Sequence, residues 1–274
     1  ARHGFNVTIF DGQEEAGGVL MYGIPEYRLP KAVVRKEIEK IEALGVSFEL
    51  NCMVGKDITV DEMFAKGFDA IFIGTGTALP KSLDIPGAKL RGVVQSSYLL
   101  HMVSIYNQNT ISRDRVPLIA GEHVGVIGCG NVAMDAARTA VRMGAASVSV
   151  IYHRTEADMP AIQSEYQEAV KEGVKFLWET STQEFIGDEE GHVKAIRATT
   201  PQGEQIIPFD RIYLAIGSRP ANRIVSTTTG IDVDEAGYII VKDRPFGMTT
   251  RKGVFAGGDV VHHPQTVVLA MKAA

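Results

Sequence analysis

Four glycine-bearing turns recur along the chain in one context. They are Gly74-Thr75-Gly76, Gly128-Cys129-Gly130-Asn131-Val132-Ala133, Ala215-Ile216-Gly217 and Ala256-Gly257-Gly258-Asp259. Each follows a short apolar run of strand type, at residues 70–73, 123–127, 211–214 and 253–255. A turn without side chains at the end of a buried parallel strand lets the backbone close on a pyrophosphate. The chemistry on offer is the holding of dinucleotides. Four such turns predict two dinucleotide sites on one chain, with one domain inserted into the other.

The pattern Gly128-x-Gly130-x-x-Ala133 lies between a strand and a helix, the context this fingerprint requires. Gly128 makes the tight turn. Gly130 leaves room for the pyrophosphate, which would rest on the helix start at Asn131 and Val132. Ala133 replaces the third glycine, whose role is close helix–strand packing. The end of the next strand selects the cofactor, because NAD sites carry an acid there for the ribose hydroxyls. This strand ends Ile151-Tyr152-His153-Arg154, with no acid until Glu156. A guanidinium can take a 2′-phosphate through two parallel bonds, which points to NADP(H). The competing reading of Arg154 is a solvated loop residue. His153 either assists or is simply exposed. Asp135 and Arg138, one helical turn apart, read as a surface ion pair.

A second site gathers around other strand ends. Asp11 closes the strand at 7–10 and suits ribose hydroxyls, although a strand-ending Asp also serves as a plain turn former. Gly17-Gly18 reads equally as a flexible loop. Asp259 follows a glycine pair, and a helix from about Gln265 comes next. Its carboxylate suits a ribityl hydroxyl, and the amides of Thr266 and Val267 offer a positive helix end to the charge a flavin gains on reduction. The alternative is an ordinary strand–turn–helix connection; Gly74-Thr75-Gly76 in the same chain favours the functional reading. Hydride transfer needs two rings held face to face rather than an acid or base, so no catalytic side chain is assigned.

The elements that must position these turns follow from periodicity. Helical spacing marks 31–44, helices are also expected at 96–107, 131–143 and 161–172, and strands at 7–10, 46–50, 147–152 and 174–178. Residues 22–30 are too proline-rich for a helix. Thr59-Val60-Asp61-Glu62 carries a capping box. Residues 107–121 suit a linker, and alternating segments between 184 and 207 predict a small antiparallel insert. Domains are expected at 1–110 (first part of an FAD domain), 111–217 (NADPH domain) and 218–274 (second part of the FAD domain).

Composition closes off other classes. The chain has 274 residues, 45% hydrophobic and 22% charged, with net charge −5. No basic stripe with aromatics points to nucleic acid, and no apolar run reaches the ~20 residues of a membrane helix. Cys52 and Cys129 form no metal or dithiol spacing, so neither a metal site nor a redox dithiol is expected, and a reducing cytoplasm fits. The chain opens at Ala1 in what reads as a helix tail and ends in an uncapped helix pattern, so a fragment truncated at both ends is expected.

Several stretches resemble the small (beta) subunit of NADPH-dependent glutamate synthase. They are Gly17-Gly18-Val19-Leu20-Met21-Tyr22-Gly23-Ile24-Pro25-Glu26-Tyr27-Arg28-Leu29-Pro30-Lys31, GCGNVAMDAAR from Gly128, YHRTEADMPA from Tyr152 and VFAGGDV from Val254. The resemblance implies an α/β fold of two Rossmann-like dinucleotide-binding domains, the NADPH domain inserted into the FAD domain. It implies FAD contacts at Asp11, Gly18, the Val54 backbone, Thr75, Gly76, Asp259, Thr266 and Val267. It implies NADPH contacts at Gly130, Asn131, Val132, Ala133, His153 and Arg154. Gly17, Gly128, Gly217 and Gly258 complete the candidate cofactor-binding set. The implied activity passes a hydride from NADPH to FAD and then electrons to iron–sulfur centres in a missing segment or a partner. That partner would be the large glutamate synthase subunit or another electron-accepting iron–sulfur subunit. The upstream FAD phosphate turn and the cysteine-rich iron–sulfur domain of the family are absent from this stretch. Cys129 stands where the family usually has Gly, and Tyr152-His153-Arg154 replaces the more usual Tyr-Arg-Arg. Related readings are an NAD(P)H:ferredoxin or sulfide dehydrogenase-type flavoprotein subunit, or a non-catalytic NADP(H)-sensing module.

Overall fold

The structure, a computed structural model, describes residues 1–244, 246–262 and 266–273. In chain order, β1 (Thr8–Phe10) leads to the short helix α1 (Gly18–Tyr22), which stops before Pro25. Then come α2 (Lys31–Glu42), β2 (Ser47–Glu49), α3 (Val60–Ala65), β3 (Ile71–Ile73) and β4 (Leu79–Pro80). The middle of the chain holds β5 (Val93–Gln95), α4 (Ser96–Asn107), β6 (His123–Ile127), α5 (Asn131–Arg142), β7 (Ser147–Ile151), α6 (Gln163–Lys171) and β8 (Lys175–Leu177). The hairpin strands β9 (Ser181–Gly187), β10 (Val193–Thr200) and β11 (Gly203–Pro208) follow, then β12 (Arg211–Leu214). The chain closes with β13 (Ser218–Arg219), α7 (Arg223–Ser226), β14 (Val254–Ala256) and α8 (Val267–Lys272).

Contacts divide the chain into two compact units. One comprises Ala1–Ala16, Arg35–Lys81 and Gly217–Ala274; the other comprises Gly17–Val34 and Ser82–Ile216. The first opens and closes the chain, and its Arg35–Lys81 segment lies between the two segments of the second. Its boundaries fall elsewhere than composition suggested. Residues 82–110 join the second unit because β5 pairs in parallel with β12. Residues 17–34 join it too, with Ser104 Oγ donating 2.8 Å to the Met21 carbonyl.

The second unit is built on a parallel five-stranded sheet ordered β5-β12-β6-β7-β8. Alternation along its strands sends side chains to two faces. Val124, Val126, Val148, Val150 and Tyr213 share one core with Leu99 of α4 and with Ala133, Ala136, Ala137 and Ala140 of α5. Ile127, Ile151, Ile212 and Leu214 share the other with Phe185, Val193 and Ile196 of the antiparallel insert β11-β10-β9. The linker expected at 107–121 is anchored rather than loose. Val116 and Leu118 are buried, and Arg113 donates to the carbonyls of Leu118 (2.7 Å) and Met143 (3.0 Å).

The first unit carries two parallel pairs, β1-β2 and β14-β3, and the antiparallel pair β13-β4. Its core gathers Val60, Ile73, Ile231, Ile239, Val254 and Val260. The capping box at Thr59 forms as expected, with the Glu62 amide donating to Thr59 Oγ1 and the Thr59 amide to Glu62 Oε2. Among the described residues no helix is long and apolar enough to cross a membrane, and no group of His, Cys, Asp and Glu could hold a metal ion.

Candidate dinucleotide-binding sites

In the second unit the chain leaves β6 through α5 toward β7 and β8, while β12 returns on the other side of β6. The order therefore reverses between β6 and β12, and ligands of open α/β sheets bind at the carboxyl ends of strands beside such a reversal. Leu214 pairs with Ile127, and Ile127 with Ile151. The turns at Gly128, Ala215 and Tyr152 therefore share one sheet edge.

The two glycines of the turn have different reasons to be glycine. Gly128 has φ 113°, and a Cβ there would lie 2.3 Å from the Ala215 carbonyl oxygen. Gly130 has ordinary φ (−87°) as N-cap of α5, and a Cβ there would meet nothing within 4 Å. A side chain at 130 would fill open space above the helix start, which is where a pyrophosphate would need backbone access. These residues fit the group. Ala133 is fully buried, as a close helix–strand contact demands. Val132 is exposed at the helix start. The Asn131 side chain accepts a 2.9 Å bond from the Ile162 amide, fixing the loop after β7 to the start of α5.

Arg154 and His153 are exposed and line a cleft of about 400 Å3. Thr155 and Asp158 form a reciprocal cap that shapes their loop. The Tyr152 hydroxyl donates 3.1 Å to the Asp158 carbonyl. The structure thus brings Gly128, Gly130, Asn131, Val132, Ala133, His153 and Arg154 into one unit along the ends of neighbouring strands.

Asp135 and Arg138 do not form the expected surface pair. Both are buried, and each is committed elsewhere. Arg28 donates to both Asp135 carboxylate oxygens at 2.8 Å; Arg138 donates to Glu172 at 2.9 Å and Glu165 at 3.0 Å. The Tyr27 ring lies beneath the guanidinium groups of Arg138 and Arg142, 4.6 and 4.0 Å from its centroid. Burial, with the Asp135 charge behind it, pushes the Tyr27 hydroxyl up to about 12. Residues 25–30 are therefore pinned to α5, a contact that local spacing could not reveal.

Cys129 sits inside the Gly128–Gly130 turn. It is buried, and burial, assisted by the Glu156 charge, pushes its thiol up to about 12. Only the thiolate reacts. At pH 8, iodoacetamide is expected to modify the half-buried Cys52 and spare Cys129 in the folded chain, read by mass spectrometry. Equal labelling of both would show that the turn opens.

In the first unit, Ala256 pairs with Ile73, and the Gly257 amide donates 3.2 Å to the Ile73 carbonyl. The turns carrying Thr75, Gly76, Gly258 and Asp259 therefore lie side by side. Gly76 has φ 61° and open space where a Cβ would be, so this turn too leaves its backbone accessible. Thr266 is the N-cap of α8, its hydroxyl oxygen accepting from the Leu269 amide at 3.4 Å; Val267 follows as the first helical residue, while Gln265 lies outside the described residues. Asp11 accepts a 3.0 Å bond from the Gln13 amide, a turn-forming role. Its backbone carbonyl accepts from Cys52, on the segment leading to Val54. Gly217 also belongs to this unit, its carbonyl accepting from the Lys81 amide at 2.9 Å. Gly17 and Gly18 group instead with the second unit. Gly17 caps α1 at φ 125°, and a Cβ there would press on Val34 at 3.0 Å, whereas Gly18, the first residue of the helix, has open space where a Cβ would be.

A family profile described as pyridine nucleotide-disulphide oxidoreductase matches residues 1–274. The putative oxidoreductase AegA of Escherichia coli (strain K12) is 33% identical over 98% of this chain, which spans 44% of AegA. A putative glutamate synthase [NADPH] small chain of Cereibacter sphaeroides is 37% identical over 99% of the chain, which spans 69% of that protein. The fold matches that of Mycobacterium tuberculosis FprA, solved in complex with NADPH, with TM-score 0.78 over 98% of this chain and 75% of FprA at 16% identity.

Proposed function

The chain belongs to the pyridine nucleotide-disulphide oxidoreductase family, and on that premise we propose that it is an electron-input module. NADPH binds the second unit and FAD the first, and a hydride passes from one to the other. The carrying observation is the pair of glycines at the sheet reversal: Gly128 packs against backbone, while Gly130 faces open space at the start of a twelve-residue helix. That combination holds a turn rigid and leaves its amides accessible to phosphate.

When bound, the reduced nicotinamide supplies a hydride, and the flavin accepts two electrons and releases them singly. The protein's share is positioning. The amides of Asn131 and Val132 hold the pyrophosphate, Arg154 reads the 2′-phosphate with His153 beside it, and Ala133 lets α5 sit close to the sheet. On the first unit, Thr75, Gly76 and Gly258 offer backbone to the second dinucleotide. Asp259 holds a ribityl hydroxyl, and the Thr266–Leu269 cap orients the start of α8. Asp11 serves the adenosine ribose. No side chain moves a proton in this scheme.

Beyond the flavin, electrons leave for iron–sulfur centres in a further segment or in a partner, either a large glutamate synthase subunit or another electron-accepting iron–sulfur subunit. The similarity to the Cereibacter sphaeroides protein supports this assignment. The test is anaerobic and uses the full-length protein: purified with its flavin and freed of unbound FAD it should be yellow, and NADPH should bleach it. A flavin that binds yet stays oxidised under excess NADPH would contradict the transfer and favour an NADP(H)-sensing role.

A further inference from the structure

Two acids line the cleft beside β7: Asp158, whose carboxylate already accepts from Thr155, and Glu179. The cleft lining includes Arg154, Thr155, Glu179, Ser181 and Thr200, so three segments meet there: the loop after β7, the turn between β8 and β9, and the end of β10. Glu179 is held at φ 51°, in the left-handed region, a backbone that disfavours glutamate. Its amide donates 2.9 Å to the Arg154 carbonyl, and the next amide, of Thr180, donates 2.8 Å to the Tyr152 carbonyl. These two bonds fasten the β8–β9 turn to the loop that carries Arg154. From the other side, Thr155 Oγ1 donates 2.7 Å to Asp158. The loop is thus fixed on both sides of the guanidinium, with Glu179 on one wall. Among the described residues, no ion pair takes up the Glu179 carboxylate.

We infer that Glu179 is a specificity-determining residue, its carboxylate accepting the ribose 2′-hydroxyl of NADH in the cleft where Arg154 takes the 2′-phosphate of NADPH. The inference rests on the Arg154 reading given above. In dinucleotide folds the ribose carboxylate stands at the end of the second strand; here the neighbouring turn supplies it. The two charges pull opposite ways. The guanidinium attracts the phosphate of NADPH, and the carboxylate repels it while offering NADH an acceptor. The site therefore takes both dinucleotides and prefers NADPH less than Arg154 alone would dictate.

The experiment measures dissociation constants for NADPH and NADH with the wild-type chain and with Glu179→Gln, Glu179→Asn and Arg154→Ala, at low and high salt. Asparagine tolerates the left-handed backbone and guards against a purely conformational effect. Both 179 variants are expected to bind NADPH about 3- to 10-fold more tightly and NADH more weakly by a similar factor, an effect of the size expected for exposed charges. The gain for NADPH should shrink as salt rises. A gain of affinity is not what local unfolding produces. If the 179 variants leave the NADPH-to-NADH ratio unchanged while Arg154→Ala shifts it toward NADH, the inference is overturned and the Arg154 reading stands. If Arg154→Ala fails to shift the ratio as well, both fall.

Discussion

Gly130→Ala is expected to leave the chain folded and to remove most of its NADPH binding, whereas Gly128→Ala is expected to destabilise the second unit itself. At 130 the φ of −87° suits alanine, and the new methyl meets no neighbour within 4 Å. The melting temperature should stay within about 2 °C of wild type, as for substitutions that touch nothing. The methyl would nevertheless stand where the pyrophosphate must reach the helix start. Losing one charge-assisted bond of roughly 1.5–3 kcal/mol weakens binding about 10- to 150-fold. At 128 the methyl would lie 2.3 Å from the Ala215 carbonyl oxygen at φ 113°. Backbone strain of roughly 1–3 kcal/mol and overpacking of roughly 1–3 kcal/mol add together. At about 2–4 °C per kcal/mol, the combined cost of roughly 2–6 kcal/mol lowers the melting temperature by roughly 4–24 °C. Thermal melts and NADPH titrations on both variants check the pair. A Gly130→Ala chain that binds NADPH like wild type would remove the phosphate from this turn.

The second large effect concerns Arg154. Arg154→Ala is expected to weaken NADPH binding and leave NADH nearly unchanged, because NADH lacks the 2′-phosphate that the guanidinium would take. One charge-assisted contact of roughly 1.5–3 kcal/mol corresponds to about a 10- to 150-fold rise in the dissociation constant. The exposed cleft makes the effect salt-dependent, so it should diminish at high ionic strength. Calorimetric titration with both dinucleotides reads it directly. Equal weakening of both would mean that Arg154 supports the loop rather than reading the phosphate.

Local pattern carried much of this account. The Gly128 fingerprint lies between β6 and α5, and helix α2 covers Lys31–Glu42 within the stretch that apolar spacing marks, because apolar spacing and glycine placement act over a few residues. The alternating segments after residue 180 became the insert for the same reason. What stayed hidden depends on contacts distant in sequence. Arg28 and Asp135 are 107 positions apart, and nothing near Asp135 distinguishes a buried partner from a solvated one. The pairing of β5 with β12 moved residues 82–110 into the second unit, against a boundary drawn from composition. Glu179 was missed because its role comes from a turn one strand away. The left-handed backbone that places it is ordinarily signalled by glycine or asparagine, and neither stands there.

The most direct measurement of the central claim is a crystal structure of the chain grown with NADP+. The account predicts the pyrophosphate against the amides of Asn131 and Val132 at the start of α5, with the 2′-phosphate at Arg154 in the cleft after β7. Density for the nucleotide elsewhere, or a crystal at saturating NADP+ in which these amides and Arg154 carry no phosphate, would contradict it.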